Sequence, residues 1–155
     1  MKIIENEKGI YQEKLEIEGW PEGIAFQPHG VDVIREENLL YVINHALKQG
    51  GERIEVLYIK TDDRNEPTGL KYLHSITSEE INKEAYGAFN AIAVAEHGKF
   101  YVTRHIVPLE PYGKNRNRWV EMIYDNIMKP TGVYWIEYNE KTNDILFKNV
   151  ATGFA

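Results

Sequence analysis

Short apolar runs separated by turn residues occur along nearly the whole chain, and this pattern restricts the folds open to it. The runs either alternate with polar residues or stay short, and glycine, asparagine or charged clusters bound them. Such runs are typical of β-strands rather than helices, so we predict an all-β fold. The predicted strands are Met1 to Glu5, Tyr11 to Ile17, Gly23 to Phe26, Val31 to Ile34, Leu39 to Asn44, Arg53 to Lys60, Leu70 to Ile76, Ala88 to Ala95, Lys99 to His105, Gly132 to Tyr138 and Ile145 to Ala151.

Two groups of these strands resemble each other, one within residues 31–60 and one within residues 90–138. Each group has an apolar strand, a turn, a second strand with Tyr-Val near its middle, and a third strand with aromatic residues. Repeated strand groups indicate β-propeller blades, each a small sheet of about four strands and roughly 40 to 50 residues. A sandwich of short strands is the rival architecture.

The length of the chain limits how much of a propeller it can form. We predict a single partial propeller of about three blades, with a blade remnant at 1–26, blades at 27–76 and 86–138, and the start of a next blade at 143–155. Closed propellers have about four to eight blades. The open faces and strand edges of a partial ring need a cover, so a complementing propeller half or an oligomer is the expected partner.

Two stretches depart from the strand pattern. The run Ser78 to Glu84 has Thr77 or Ser78 as a candidate cap and acidic residues in its first turn, which predicts a short helix. The segment 111–129 is polar and basic at first and long for a loop in a compact domain. It is either a lid with a short helix or a surface excursion.

Composition excludes several classes of function. The net charge of -6, with both signs spread along the chain, argues against a nucleic-acid partner. The chain has no cysteine, which removes disulfides, thiolate metal sites and a cysteine nucleophile. We expect no transmembrane segment, and the charges within residues 1–8 predict that no signal peptide begins here.

His29 and His45 lie at the two ends of a predicted hairpin. The strands Val31 to Ile34 and Leu39 to Asn44 are joined by a charged turn, which returns His45 towards His29. Two adjacent imidazoles can relay a proton, because histidine titrates near neutral pH. From the residues alone, two unrelated histidines at strand ends remain the alternative.

Five segments carry a likeness to a known family by their order and spacing, and they are Phe26 to Val31, Leu40 to His45, Arg53 to Ile59, Ala88 to Val94 and His97 to Thr103. In this order they resemble the paraoxonase/arylesterase family of calcium-dependent hydrolases. The resemblance covers most of the chain from about Gly23. It implies a six-bladed propeller, of which this chain is roughly half, and an extracellular or secretory location.

The resemblance also implies roles for single residues. His29 and His45 take the places of the family's catalytic histidine pair, and the implied substrates are small aryl esters or lactones. Asn90 takes the place of a ligand of the catalytic calcium, and Val31 matches a position whose backbone carbonyl binds a structural calcium. Ala91 stands where the family has a calcium-binding aspartate, so the ligand set is incomplete and we expect weak calcium binding and little catalysis from this chain alone.

Two other interpretations stay open. The chain could be a degenerate, non-catalytic propeller piece that serves as a binding or assembly module, or a relative of the strictosidine-synthase-like or gluconolactonase-like propellers.

Other residues carry weaker signals. His74, His97 and His105 lack zinc-site spacing, His97-Gly98 predicts a hairpin turn, and Asp62 to Glu66 predicts a solvated turn rather than a cation loop.

Overall fold

A computed structural model describes residues 2–6, 9–46, 51–85, 89–104, 119 and 132–152. The fold is all-β, as the alternation of apolar residues predicts, and strands account for most of the described chain. No helix in these ranges is long and apolar enough to cross a membrane. The strands are β1 Lys2–Asn6, β2 Gly9–Glu13, β3 Ile17–Glu18, β4 Pro28–Ile34, β5 Leu39–Ala46, β6 Gly51–Thr61, β7 Pro67–Ile76, β8 Phe89–Glu96, β9 Lys99–Arg104, β10 Gly132–Asn139 and β11 Asp144–Thr152, and the helix is α1 Glu79–Ala85.

The strands form one hairpin and two larger sheets. β1 and β2 pair only with each other in the described chain. The first sheet has the order β3-β7-β6-β5-β4, in which β4 to β7 are antiparallel neighbours and β3 is parallel to β7. The second sheet has the order β11-β10-β9-β8 and is antiparallel throughout. Each sheet therefore contains four consecutive antiparallel strands.

The two sheets pack face to face around one hydrophobic core, and they approach each other most closely along their edge strands β4 and β8. Asp32 in β4 joins these two edges, because its Oδ2 accepts a hydrogen bond from the backbone N–H of Val94 at 2.7 Å. A bond of this kind satisfies an edge donor that no neighbouring strand reaches. The core residues are Leu39, Tyr41, Ile43, Ile54, Val56, Ile76, Ile81, Phe89, Ile92, Phe100, Val102, Tyr134 and Ile136.

The edge strands carry the same irregularity at the same place. In the first sheet, His29 and Gly30 together lie opposite the single residue Ile43. In the second sheet, Asn90 and Ala91 lie opposite a single residue of β9 in the same way. Each is a β-bulge, which bends a strand and changes the direction of its side chains. The repetition predicted from the sequence is thus present in the strand pairing.

Two sequence predictions are corrected. Residues 23–26 form no strand, because their backbone is held by a side chain of β5 rather than by a neighbouring strand. The predicted strand 11–17 is divided between β2 and β3. Residues 144–152, predicted to begin a next blade, pair with β10 as the fourth strand of the second sheet, so the described chain has two four-stranded units. The alternation of apolar residues in 144–152 would be the same in a fourth strand of this sheet and in the first strand of a next blade.

The short helix is confirmed, and Ser78 is its cap, since its Oγ accepts a hydrogen bond from the backbone N–H of Ile81 at 3.1 Å. Ile81 is buried in the core between the sheets. The predicted turn at His97-Gly98 is also present, with Gly98 at a positive φ of 72°. The segment 111–129, apart from the exposed Trp119, lies outside the described residues, as does His105.

Candidate functional site

The two predicted catalytic histidines lie side by side. The centroids of the His29 and His45 rings are 5.1 Å apart, and their planes are inclined by 40°. His29 is in the bulge of β4 and is exposed, whereas His45 is near the end of β5 and is partly buried. The prediction that the hairpin returns one histidine to the other is therefore confirmed.

A buried asparagine holds the chain that leads into His29. The Oδ1 of Asn44 accepts a hydrogen bond from the backbone N–H of Gln27 at 2.7 Å, and its Nδ2 donates to the carbonyl of Ala25 at 3.0 Å. The backbone N–H of His45 donates to the carbonyl of Gln27 at 3.1 Å. Residues 25–27 are thus attached to β5 beside His45, which positions His29.

Asn44 is itself held by a buried carboxylate. Its Nδ2 donates to Oε1 of Glu55 at 2.7 Å, and both residues are fully buried. The other oxygen of Glu55 accepts a hydrogen bond from Ser75, whose hydroxyl also bonds Tyr72. The Nε of Arg53 lies 3.6 Å from Glu55. A buried charge with these partners is stabilised, whereas an isolated one would be costly.

Glu52 is a site residue that the sequence did not single out. Its Oε2 lies 2.9 Å from Nδ1 of His45, and its side chain is fully buried. Its position is set by its backbone, because its N–H donates to Oδ1 of Asn82 at 2.8 Å and its carbonyl accepts from Thr77 at 2.9 Å. The available signal was register: Glu52 pairs with His45 when β5 and β6 form a hairpin.

Gly30 brings the second sheet to the histidine pair. A Cβ atom on Gly30 would lie 2.5 Å from the carbonyl oxygen of Asn90 and 3.0 Å from the Cα of Ala91. Both neighbours are backbone atoms, which cannot move aside as a flexible side chain can. The two bulges are therefore in contact, and Asn90 lies next to the residue that follows His29. We call His29, His45, Glu52 and Asn90 the histidine end of the sheets.

The predicted calcium ligands Asn90 and Val31 lie at or next to the two bulges that are in contact. The side chain of Asn90 is exposed at the histidine end, and Val31, whose backbone carbonyl is the predicted ligand, directly follows Gly30. Ala91 is exposed and has no side-chain oxygen. Within the described ranges, no group of three or more His, Asp or Glu side chains is arranged to hold a metal ion. One amide and one carbonyl fall short of the six to eight oxygens that calcium prefers, so these residues do not fit a complete calcium site.

A second group of histidines lies at the far end of the sheets, away from the candidate site. His97 contacts two carboxylates, with Nε2 at 2.8 Å from Glu140 and Nδ1 at 3.2 Å from Glu37. His74 lies 3.5 Å from Glu140, and burial is the main cause that lowers the pKa of His74 below its usual value. These contacts connect β7 and the segment between β4 and β5 in the first sheet with two turns of the second sheet, so a structural role accounts for them.

The loop Asp62 to Glu66 is a solvated turn, as predicted. The Oδ1 of Asp62 accepts backbone hydrogen bonds from Arg64 at 2.8 Å and from Glu66 at 3.0 Å. These bonds also lower the pKa of Asp62. The carboxylate therefore satisfies backbone N–H groups of its own turn.

Comparisons with protein-family models, with curated proteins and with solved structures found no match for this chain.

Proposed function

We propose that the histidine end is a hydrolytic site for small carboxylic esters or lactones, of the kind that the resemblance to the paraoxonase/arylesterase family implies. The observation that carries the proposal is the row of three groups His29, His45 and Glu52. The two rings have centroids 5.1 Å apart, and a buried carboxylate lies 2.9 Å from the inner one. The propeller architecture belongs to the same proposal, and two four-stranded units that meet along their edge strands support it.

Glu52 sets the direction of proton transfer. An ionised carboxylate only accepts hydrogen bonds, so it favours the proton on Nδ1 of His45 and leaves the lone pair on Nε2. This is the role of the acidic residue in a catalytic triad, where it orients an imidazole and stabilises the imidazolium. The Oε1 of Glu52 is buried without a hydrogen-bond partner in the described chain, a costly arrangement for a residue with a purely structural role.

The exposed His29 is the group that meets water and substrate. It removes a proton from water while its other ring nitrogen passes a proton to Nε2 of His45. The hydroxide oxygen attacks the carbonyl carbon of the ester, and the tetrahedral intermediate then expels the alkoxide or phenoxide. The same relay returns the proton to that leaving oxygen. The products are a carboxylic acid and an alcohol or phenol, or one hydroxy acid when the substrate is a lactone.

Calcium enters the proposal through the resemblance alone. When bound, calcium would polarise the substrate carbonyl as a Lewis acid. Asn90 and Val31 are the residues of this chain that the resemblance assigns to it, and the remaining oxygen ligands would have to come from outside the described residues.

Hydrolysis of phenyl acetate and of aliphatic lactones, with calcium and with a chelator, tests the catalytic proposal. We expect slow hydrolysis by this chain alone, because its calcium ligands are incomplete, and His29→Gln and His45→Gln should each reduce that kcat/KM by about 10²–10⁴-fold. His97→Gln, at the far end of the sheets, is the matched control and should retain activity. No hydrolysis above the level of His29→Gln with either class of substrate would overturn the proposal.

Glu52→Gln tests the positioning role. The variant keeps the size of the side chain but replaces the carboxylate with a neutral amide, so we expect a lower kcat with little change in KM. Nitrogen-15 chemical shifts of the His45 ring report which nitrogen carries the proton. If the ring of the unmodified protein is protonated on Nε2 rather than Nδ1, the assigned role of Glu52 is wrong.

A non-catalytic binding or assembly module is the second candidate function. The observation that favours it is Ala91, which offers no oxygen where the family has a calcium-binding aspartate. Calcium titration followed by thermal melting separates the two candidates, because a metal that binds only the folded state must raise the Tm. An unchanged Tm at millimolar calcium, together with absent hydrolysis, would favour the module.

A further inference from the structure

Each of the two sheets has one face in the shared core and one face turned away from it. In the first sheet, the outer face is formed by side chains that alternate with the core residues of β4 and β5. In the second sheet, the outer face is formed in the same way on β9 and β10. The residues of the first outer face are Val31, Val33, Leu40 and Val42, and those of the second include Tyr101 and Trp135.

The outer face of the first sheet corresponds, by strand register, to the face of the second sheet that is buried in the core. Counting from the two bulges, Val31 pairs with Val42 in the first sheet as Ile92 pairs with Val102 in the second. Yet Val31 is 57% exposed, whereas Ile92 is 7% exposed. Ile92 is covered by the first sheet. On the first outer face, residues 15–20 cover Val42, which is 1% exposed, but among the described residues they leave Val31 largely open.

The remaining residues of this face follow the same correspondence. Val33 pairs with Leu40 as Val94 pairs with Phe100. Phe100 is fully buried in the core, where its ring centroid lies 5.7 Å from that of Tyr41 in the first sheet. Leu40 therefore occupies the position that, in the second sheet, receives an aromatic ring from the neighbouring sheet.

The outer face of the second sheet corresponds, by strand register, to the face of the first sheet that is buried in the core. Tyr101 pairs with Trp135 as Tyr41 pairs with Val56 in the first sheet. Tyr41 is 1% exposed in the core, whereas Tyr101 is 43% exposed. The rings of Tyr101 and Trp135 have centroids 4.6 Å apart, which makes a continuous aromatic surface.

We propose that the outer face of the second sheet in one copy of this chain packs on the outer face of the first sheet in another copy, head to tail. The contact uses positions that correspond to those of the internal joint, along the part of the first outer face that residues 15–20 leave open, with Tyr101 of one copy against Leu40 of the next. It uses two different surfaces, so it is heterologous and closes into a ring when the rotation permits. Roughly two to four copies would bring together four to eight sheets, the range of closed propellers.

The first outer face is covered in part by the chain itself and is open only near β4. A cavity of about 620 Å³, lined mainly by apolar side chains, lies between this face and the segment that includes Leu15, Ile17 and Trp20. That segment covers the part of the face near β7, where Trp20 contacts Tyr72 with ring centroids 5.5 Å apart. The part near β4 stays open, and this is the edge at which the two sheets of the chain meet most closely.

The joint between copies lacks one hydrogen bond that the internal joint has, and this makes it weaker. Asp32, whose carboxylate bonds Val94 across the internal joint, corresponds by register to Ala93, which has no such group. The contact between copies therefore rests on apolar and aromatic burial. We expect assembly to depend on protein concentration and to persist at high salt.

Disulfide cross-linking tests the head-to-tail contact, because the chain contains no cysteine of its own. We expect Leu40→Cys and Tyr101→Cys to cross-link when mixed, and neither variant to do so alone. Lys141→Cys, in an exposed turn, replaces Tyr101→Cys in the control mixture and should not cross-link. Dimers of Tyr101→Cys alone would show a symmetric contact instead and would overturn the proposal.

The mass in solution supplies an independent measurement. Light scattering should give a mass about two to four times the 18.0 kDa of one chain. Val31→Glu and Tyr101→Glu, at exposed positions, should each restore the single-chain mass while thermal melting shows a retained fold. A single-chain mass for the unmodified protein at high concentration would overturn the proposal. This outcome leaves the hydrolase proposal untouched, since it involves no activity measurement.

Discussion

Replacing Asn44 by alanine should remove the attachment that positions His29. The substitution deletes two hydrogen bonds to neutral backbone groups and one to the carboxylate of Glu55. A neutral bond contributes about 1 kcal/mol net and a bond to a charged group about 2 kcal/mol. The sum predicts a loss of about 4 kcal/mol in the free energy of unfolding, a large part of the roughly 5–15 kcal/mol available to a domain.

Urea denaturation followed by tryptophan fluorescence measures this loss. Gln27→Ala is the matched control, because Gln27 takes part in the attachment only through its backbone, which the substitution keeps. We expect the control to change the free energy of unfolding by less than about 0.5 kcal/mol. At temperatures where Asn44→Ala remains folded, its hydrolytic activity should also fall, because residues 25–27 no longer hold His29 beside His45.

The result that would refute this reasoning is a loss of less than about 1 kcal/mol for Asn44→Ala, the contribution of one ordinary hydrogen bond. It would mean that the three bonds do not act together and that water replaces them. A large loss of stability with unchanged hydrolysis would instead separate the attachment from the position of His29.

Three further predictions concern the joint between the sheets. Gly30→Ala should cost about 1–3 kcal/mol in urea denaturation, because its Cβ would lie 2.5 Å from the carbonyl oxygen of Asn90, and an unchanged midpoint would contradict the contact. Tyr41→Phe should cost about 1–3 kcal/mol in the same assay, because it leaves the buried N–H of Gly98 without the hydroxyl now 3.0 Å away. For His74, burial lowers the pKa in the folded state. The unfolded chain therefore binds the proton more readily, and stability should fall as the pH drops below about 6.5, the usual pKa of a histidine. His74→Gln should show a smaller loss of stability between about pH 7.5 and 5.5, and an equal loss in both proteins would contradict this assignment.

The local features of the fold, and one feature of the site, were predictable from the sequence. The approach of His29 and His45 follows from one hairpin, and the capping serine of α1 and the turn at Gly98 follow from residues close in sequence. These features depend on neighbouring residues and on turn chemistry, so no knowledge of the distant chain is needed.

Other features of the site depend on partners far apart in the chain. Nothing near Gly30 indicates that its hydrogen faces the backbone of Asn90, 60 residues later. Glu52 appeared as an ordinary charged residue at the start of a strand, and only the pairing of β5 with β6 places it against His45. A simple alternation of apolar and polar residues also does not predict the bulges of β4 and β8.

The amino-acid sequence by itself determined that this protein is all-β, where most strands lie, and that two histidines meet across one hairpin, because alternation of side chains and turn residues act over a few positions. Only the tertiary structure decided that Asp144–Thr152 completes the second sheet, that Glu52 supports His45, and that Asn90 lies beside Gly30. The same alternation is compatible with several sheet assignments. Packing between distant strands selects one of them, and that selection forms the site.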